Sequence, residues 1–146
     1  MKRVTLTGVI LASAIFVFAS VGSARAKKPN VMTAPPPDFK EVSTLVNLPS
    51  YLPGMGMLYV NPSTLPVGPF LGYDKTGKRL VNITYMVPMK DFESHKNLSD
   101  LGANLGDLKI DHTDIEFNPG HPGVQEAHYH IVEWLITRQE QESQMK

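Results

Sequence analysis

Phe70-Leu71-Gly72-Tyr73-Asp74-Lys75-Thr76-Gly77-Lys78-Arg79-Leu80-Val81-Asn82-Ile83-Thr84-Tyr85-Met86-Val87 reads as two β-strands around a turn. Val81, Ile83, Tyr85 and Val87 alternate with Asn82, Thr84 and Met86, the period of two that puts successive side chains on opposite faces of a sheet. Phe70 to Tyr73 is a second short apolar run. Asp74 to Lys78 between them is turn chemistry, with Gly77 free to take a positive φ, so an antiparallel hairpin spans residues 70–87.

The same pattern extends in both directions. Met57 to Val60 is a short apolar run, Ile110 to Phe117 alternates, and Ala127 to Thr137 is the longest β-like stretch of the chain. Phe39, Val42, Leu45 and Val46 have nearly helical spacing before Pro49 and Pro53, which fits a short helix or an irregular segment. Leu98, Leu101 and Leu105 suit one or two helical turns, broken by Gly102 and Gly106. The fold class is therefore α+β and β-rich, an antiparallel sheet of short strands with one or two short helices.

Lys2 and Arg3 precede an apolar stretch from Val4 to Val21 and then Ala24-Arg25-Ala26, the layout of a secretory signal peptide over residues 1–26. The alternative is a retained membrane anchor, although Thr5, Thr7, Gly8 and Ser13 dilute the stretch. Residues 27–38, with Pro29, Pro35, Pro36 and Pro37, read as a flexible proline-rich tether. Residues 39–137 form a single β-rich domain, and residues 138–146 a solvated or frayed helical tail. The expected location is periplasmic or extracellular, with no membrane span after cleavage.

Removing the leader leaves 11 basic against 14 acidic residues, a net charge of −3, and no basic surface for nucleic acid. Cysteine is absent, so the domain relies on its core, on oligomerisation or on a bound ion rather than on disulfides. A metal site would have to use His, Asp, Glu or Met. That leaves zinc, copper, iron, nickel or manganese as the divalent transition metal.

Four of the five histidines lie between His112 and His130, and His128 and His130 form a His-x-His pair. On a strand, residues i and i+2 share a face, so both imidazoles aim at one place. His121, in the turn-rich loop Asn118-Pro119-Gly120-His121-Pro122-Gly123, lies near that end of the hairpin, as does Glu126. If Phe117 stands opposite His128, Ile115 meets His130; a slip of one residue instead sets Glu116 opposite His128 and Asp114 opposite His130, adding carboxylates to the site. The candidate metal ligands are His128, His130 and His121, with Glu126 or Glu116 as an oxygen ligand or orienting group, and His112 ranked last because it lies further along its strand. Glu133 faces the other way by strand alternation.

Other roles fit the same residues. His128 and His130 can be packed strand residues beside Val132, Trp134 and Ile136, in the core or against another subunit. The histidines near Asp111, Asp114, Glu116 and Glu126 can titrate together in acid. Met55, Met57, Met86 and Met89 are soft copper ligands by chemistry, but their β-like settings suit packing better. Catalysis has less support, since no serine or threonine sits in a nucleophile turn and no phosphate-binding glycine loop is present. A metal-bound water with Glu126 or Glu133 as base is the enzymatic alternative.

Gly123, His128, His130 and Glu133 are similar to the first metal motif of cupins, in which a glycine precedes His-x-His and a glutamate follows. The spacings are shorter and the second motif is missing, which argues against a complete cupin barrel. Asp111-His112, Phe117 to Val124 and Ala127 to His130, with Gly68 to Tyr73 and Tyr85 to Pro88, resemble a family of small exported bacterial proteins of uncharacterised function. That resemblance spans about residues 53–136 and implies an exported β-rich domain able to form oligomers, with no reaction to transfer. The leading expectation is an exported metal-binding protein; a homo-oligomeric structural protein is second and a small metal-dependent enzyme third.

Overall fold

The structure is a computed structural model that describes residues 30–102 and 104–146. Residues 1–29, which hold the expected leader and the start of the expected tether, lie outside the described residues. Six strands form one antiparallel sheet: β1 (Lys40–Glu41), β2 (Met57–Val60), β3 (Phe70–Tyr73), β4 (Leu80–Pro88), β5 (His112–Asn118) and β6 (His128–Trp134). Two short helices, α1 (Met89–Glu93) and α2 (Arg138–Gln144), complete the α+β fold. No helix among the described residues is long and apolar enough to cross a membrane.

The hairpin of residues 70–87 forms as its sequence dictates. Asp74 Oδ1 accepts hydrogen bonds from the amides of Thr76 and Lys78, both at 3.1 Å, and Gly77 takes φ +67° to complete the turn. The register shifts after Gly72 so that Leu80 faces Tyr73 and Val81 is the extra residue. This bulge shifts the phase of the alternation, so Val81 leaves the face of Ile83 and Tyr85 expected for it: Leu80 joins Tyr73, Ile83 and Tyr85, while Val81 joins Val132 and Trp134.

The strand order is β1-β2-β3-β4-β6-β5, so the chain leaves β4, runs out to the edge as β5 and returns as β6 between the two. Both faces of the inner sheet are covered, and every residue of β4 is buried although half of the strand alternates polar with apolar. Its polar members satisfy one another: Asn82 Nδ2 donates to the Met55 carbonyl at 2.8 Å and Thr84 donates to Asn82 Oδ1 at 3.3 Å.

Two segments differ from the expectation of the sequence, and a third resolves an open alternative. The proline-rich residues 30–38 pack rather than float, because buried Tyr73 needs a hydrogen-bond partner and finds the Val31 carbonyl at 2.6 Å, while Leu80 N–H reaches the Met32 carbonyl at 2.9 Å. Val31 itself enters the core. Residues 39–48, which fit a short helix or an irregular segment, take the second form, with β1 and a single 3₁₀ turn, Val42–Thr44. The helical turns sought at Leu98 to Leu105 give way to irregular turns, with α1 placed earlier, directly after Pro88; positive φ at Asp100 and Gly102 interrupts any helix there.

The carboxy-terminal tail is likewise ordered. Thr137 and Glu140 form a capping box at the start of α2, and beyond the helix Met145 is buried against Val81, Trp134 and Ile136. Asp114 ties this helix to the sheet: its carboxylate accepts from Trp134 Nε1 at 3.0 Å and from both terminal nitrogens of Arg138 at 2.8 and 2.9 Å. The Arg138 hydrogen bonds hold the Asp114 carboxyl below its ordinary value. A carboxyl lowered in this way stabilises the fold above its unfolded-state pKa, and the benefit is lost as pH falls through the folded-state value. Asp114→Asn is therefore expected to cost about 1 kcal/mol at pH 7. In denaturant titrations the gap to wild type should close in strong acid.

Candidate metal centre

β6 lies between β4 and β5, and its even-numbered face is buried. His128 is fully buried and His130 nearly so, on the same face as Val132 and Trp134. The pairing with β4 puts His130 opposite Met86 and His128 opposite Pro88. In this setting the Nε2 atoms of His128 and His130 lie 3.0 Å apart. Two nitrogens bound to one tetrahedral ion at the usual zinc distance stand about 3.3 Å apart, so little movement is needed for them to share one.

The loop brings a third imidazole. His121 begins a tight turn in which Val124 N–H donates to the His121 carbonyl at 3.0 Å and His121 N–H to the Val124 carbonyl at 2.8 Å. Pro122 and Gly123, with φ +91° at the glycine, are the central pair that a type II turn requires. Asn118 Oδ1 steadies the approach by accepting from Gly120 N–H at 2.9 Å. A β-carbon at Gly120 would meet the backbone carbonyl of Gln125 at 2.7 Å, so the loop closes this tightly only with glycine there. The His121 ring centre ends 4.9 Å from that of His128 and 5.6 Å from that of His130.

One ligand atom from each of His121, His128 and His130 lies within 4.8 Å of the others, so the three can hold a metal ion. Backbone carbonyls orient two of the rings: Nδ1 of His128 is 2.6 Å from the Glu126 carbonyl and Nδ1 of His121 is 3.0 Å from that of Pro122. A proton on each Nδ1 leaves Nε2 free as a ligand, the arrangement metal-binding histidines adopt. Burial pushes the His130 pKa down to about 4, helped by the neighbouring His128 and His121, so His130 is neutral at ordinary pH. Without an ion, a proton on His130 Nε2 bridges to His128; with the proton on Nδ1 instead, both Nε2 lone pairs point at a shared centre. Three imidazoles, two of them oriented by backbone carbonyls, fit a divalent transition ion, which would keep an open position for water or an anion.

The other candidates lie elsewhere. The observed register matches neither of the two considered: Asn118 faces His128 and Glu116 faces His130. Glu116 thus shares the histidine face by alternation, yet it is exposed on the edge strand and stays outside the cluster. The Glu126 carboxylate turns outward to Lys90 at 2.7 Å, and only its backbone carbonyl serves the site. His112 faces Trp134 at the far end of the hairpin, stacks on that indole and bridges Asp111 at 2.8 Å and Gln141 at 3.0 Å. Glu133 lies on the opposite face, where burial raises its pKa.

Sequence reading missed a cavity of about 260 Å³ against the cluster, walled by Leu45, Val46, Leu58, Val60, Phe70 and Met86 and reached by His121 and His130. Its walls come from stretches far apart in the chain, so no local motif announces it. The nearly helical spacing of Val42, Leu45 and Val46 was the one available signal, and it marks a shared apolar side without a helix.

No protein-family model matches the chain, and no curated protein matches it. Among solved structures it is similar to the crystal structure of hypothetical protein TTHB210 from Thermus thermophilus, at 42% sequence identity and a TM-score of 0.60. The match covers 67% of this chain and 87% of that one. The chain belongs to the same family as that Thermus thermophilus protein.

Proposed function

We propose that this is an exported metal-binding protein that holds one divalent transition ion on His121, His128 and His130. The observation that carries the reading is the third histidine. Two buried histidines two apart on a strand are explained by packing, but packing gives no reason for a loop to fold back so that a third imidazole completes a triangle of ligand atoms within 4.8 Å. The carbonyl partners at two of the Nδ1 positions suit the same role. Export rests on the leader-like residues 1–26.

Elemental analysis of purified protein tests this reading. The expected result is one metal ion per chain, lost in the His128→Ala/His130→Ala double variant; a wild type that folds and stays free of metal after incubation with zinc or copper contradicts it. A second reading, assembly into homo-oligomers, is favoured by one specific feature: edge strand β5 leaves Ile115 67% and Phe117 56% exposed, apolar side chains on a strand with a free edge. A change of oligomer mass in Ile115→Lys, with metal content unchanged, supports that reading.

A further inference from the structure

From the cavity beside the histidines we infer that the site takes an amphiphilic carboxylate of medium length, its head on the metal and its apolar body in the pocket. The inference rests on the metal-binding reading and names the ligand class that the reading leaves open.

The walls of the pocket decide the body. Leu58 and Val60 of β2, Phe70 of β3 and Met86 of β4 form its floor on the sheet, and the segment bearing Leu45 and Val46 closes one side. Leu45 and Leu65 line it and stay exposed, which marks the mouth. Thr84 and Asn118 also reach the wall, but their oxygens are engaged, with Thr84 donating to Asn82 and Asn118 accepting from Gly120. The imidazoles of His121 and His130 thus form the metal-ligating end of a largely apolar chamber, the one-sided layout of a small-molecule pocket.

Charge decides the head. A divalent ion on three neutral imidazoles carries two positive charges, and no carboxylate among the described residues joins the cluster. Glu126 is paired with Lys90, and Glu116 is exposed on the edge strand and stays outside the cluster. A net positive centre bordering an apolar cavity favours an anionic donor brought by the ligand, since burial of uncompensated charge is strongly unfavourable. The volume decides the length. A dry cavity of about 150 Å³ accepts benzene, so the 260 Å³ here suits roughly ten non-hydrogen atoms. Octanoate meets all three requirements.

Calorimetric titration of acetate, butyrate, hexanoate, octanoate and dodecanoate into zinc-loaded and zinc-free protein tests the inference, with zinc content measured on the same samples. The expected result is affinity rising by roughly fourfold per methylene up to octanoate and levelling off by dodecanoate. Octanoate should bind at least about tenfold more weakly to the zinc-free protein. If zinc binds but octanoate is held no better than acetate, the pocket assignment is overturned while the metal site stands. Equal octanoate affinity with and without zinc overturns the head-group assignment. A pocket closed by a second copy of the chain shows no dependence on chain length, and that result also overturns the inference. Failure of zinc to bind at all removes the metal-binding reading, and this inference with it.

Discussion

His121→Ala is expected to weaken zinc binding by at least about 100-fold while leaving the fold intact, because it removes one of three ligands, a larger loss than that of an outer-layer partner. The residue is suited to a clean test. It is only partly buried, it lies in a loop, and the turn around it is set by Pro122 and Gly123 rather than by its side chain. The readout is thermal unfolding with and without zinc. At a free ion concentration 100 times Kd, mass action stabilises the wild type by about 2.7 kcal/mol. For a domain of this size that raises Tm by roughly 10 °C. At the same concentration the variant should keep only a degree or two of the shift, with its metal-free Tm close to wild type. A full zinc response in the variant places the ion elsewhere.

Trp134→Ala is expected to cost about 3–5 kcal/mol, the largest effect of any single substitution considered, since it combines a large cavity with a lost hydrogen bond. Trp134 is the only tryptophan and is 2% exposed. It packs with Val81, Val132, Ile136 and Met145, and its indole N–H is one of the donors on Asp114. Removing the ring therefore loosens the sheet, the carboxy-terminal helix and the Arg138 clamp together. Trp134→Phe keeps most of the volume and should cost about 1–2 kcal/mol, chiefly for the lost hydrogen bond. Far-ultraviolet circular dichroism in urea measures both without relying on tryptophan fluorescence. A loss below about 1 kcal/mol for the alanine variant means that the tail does not close the core at this point.

The hairpin of residues 70–87 was legible because its information is local: alternation, a turn with Asp74 and Gly77, and flanking apolar runs. The same holds for the pairing of His128 with His130 and for the nearness of His121, which follow from strand periodicity and a short loop. What sequence could not supply were relations set by distant packing. The β5–β6 register depends on how residues 119–127 fold, and the tight His121–Val124 turn closes them into a loop short enough for Asn118 to pair with His128. Residues 30–38 look like a tether until Tyr73 is seen to need the Val31 carbonyl. The tail looks solvated because its helix is polar throughout, and the residue that anchors it, Met145, comes one position past the helix end. Glu126 suggests a carboxylate ligand by residue type, whereas its backbone carbonyl is what contacts the site.

The most direct test of the metal centre is X-ray absorption at the zinc edge on protein loaded with one equivalent of zinc. Binding by His121, His128 and His130 predicts three imidazole nitrogens at about 2.0–2.1 Å and one further light ligand, with one imidazole lost in His121→Ala. A shell of oxygens alone, or an imidazole count that His121→Ala leaves unchanged, would contradict it.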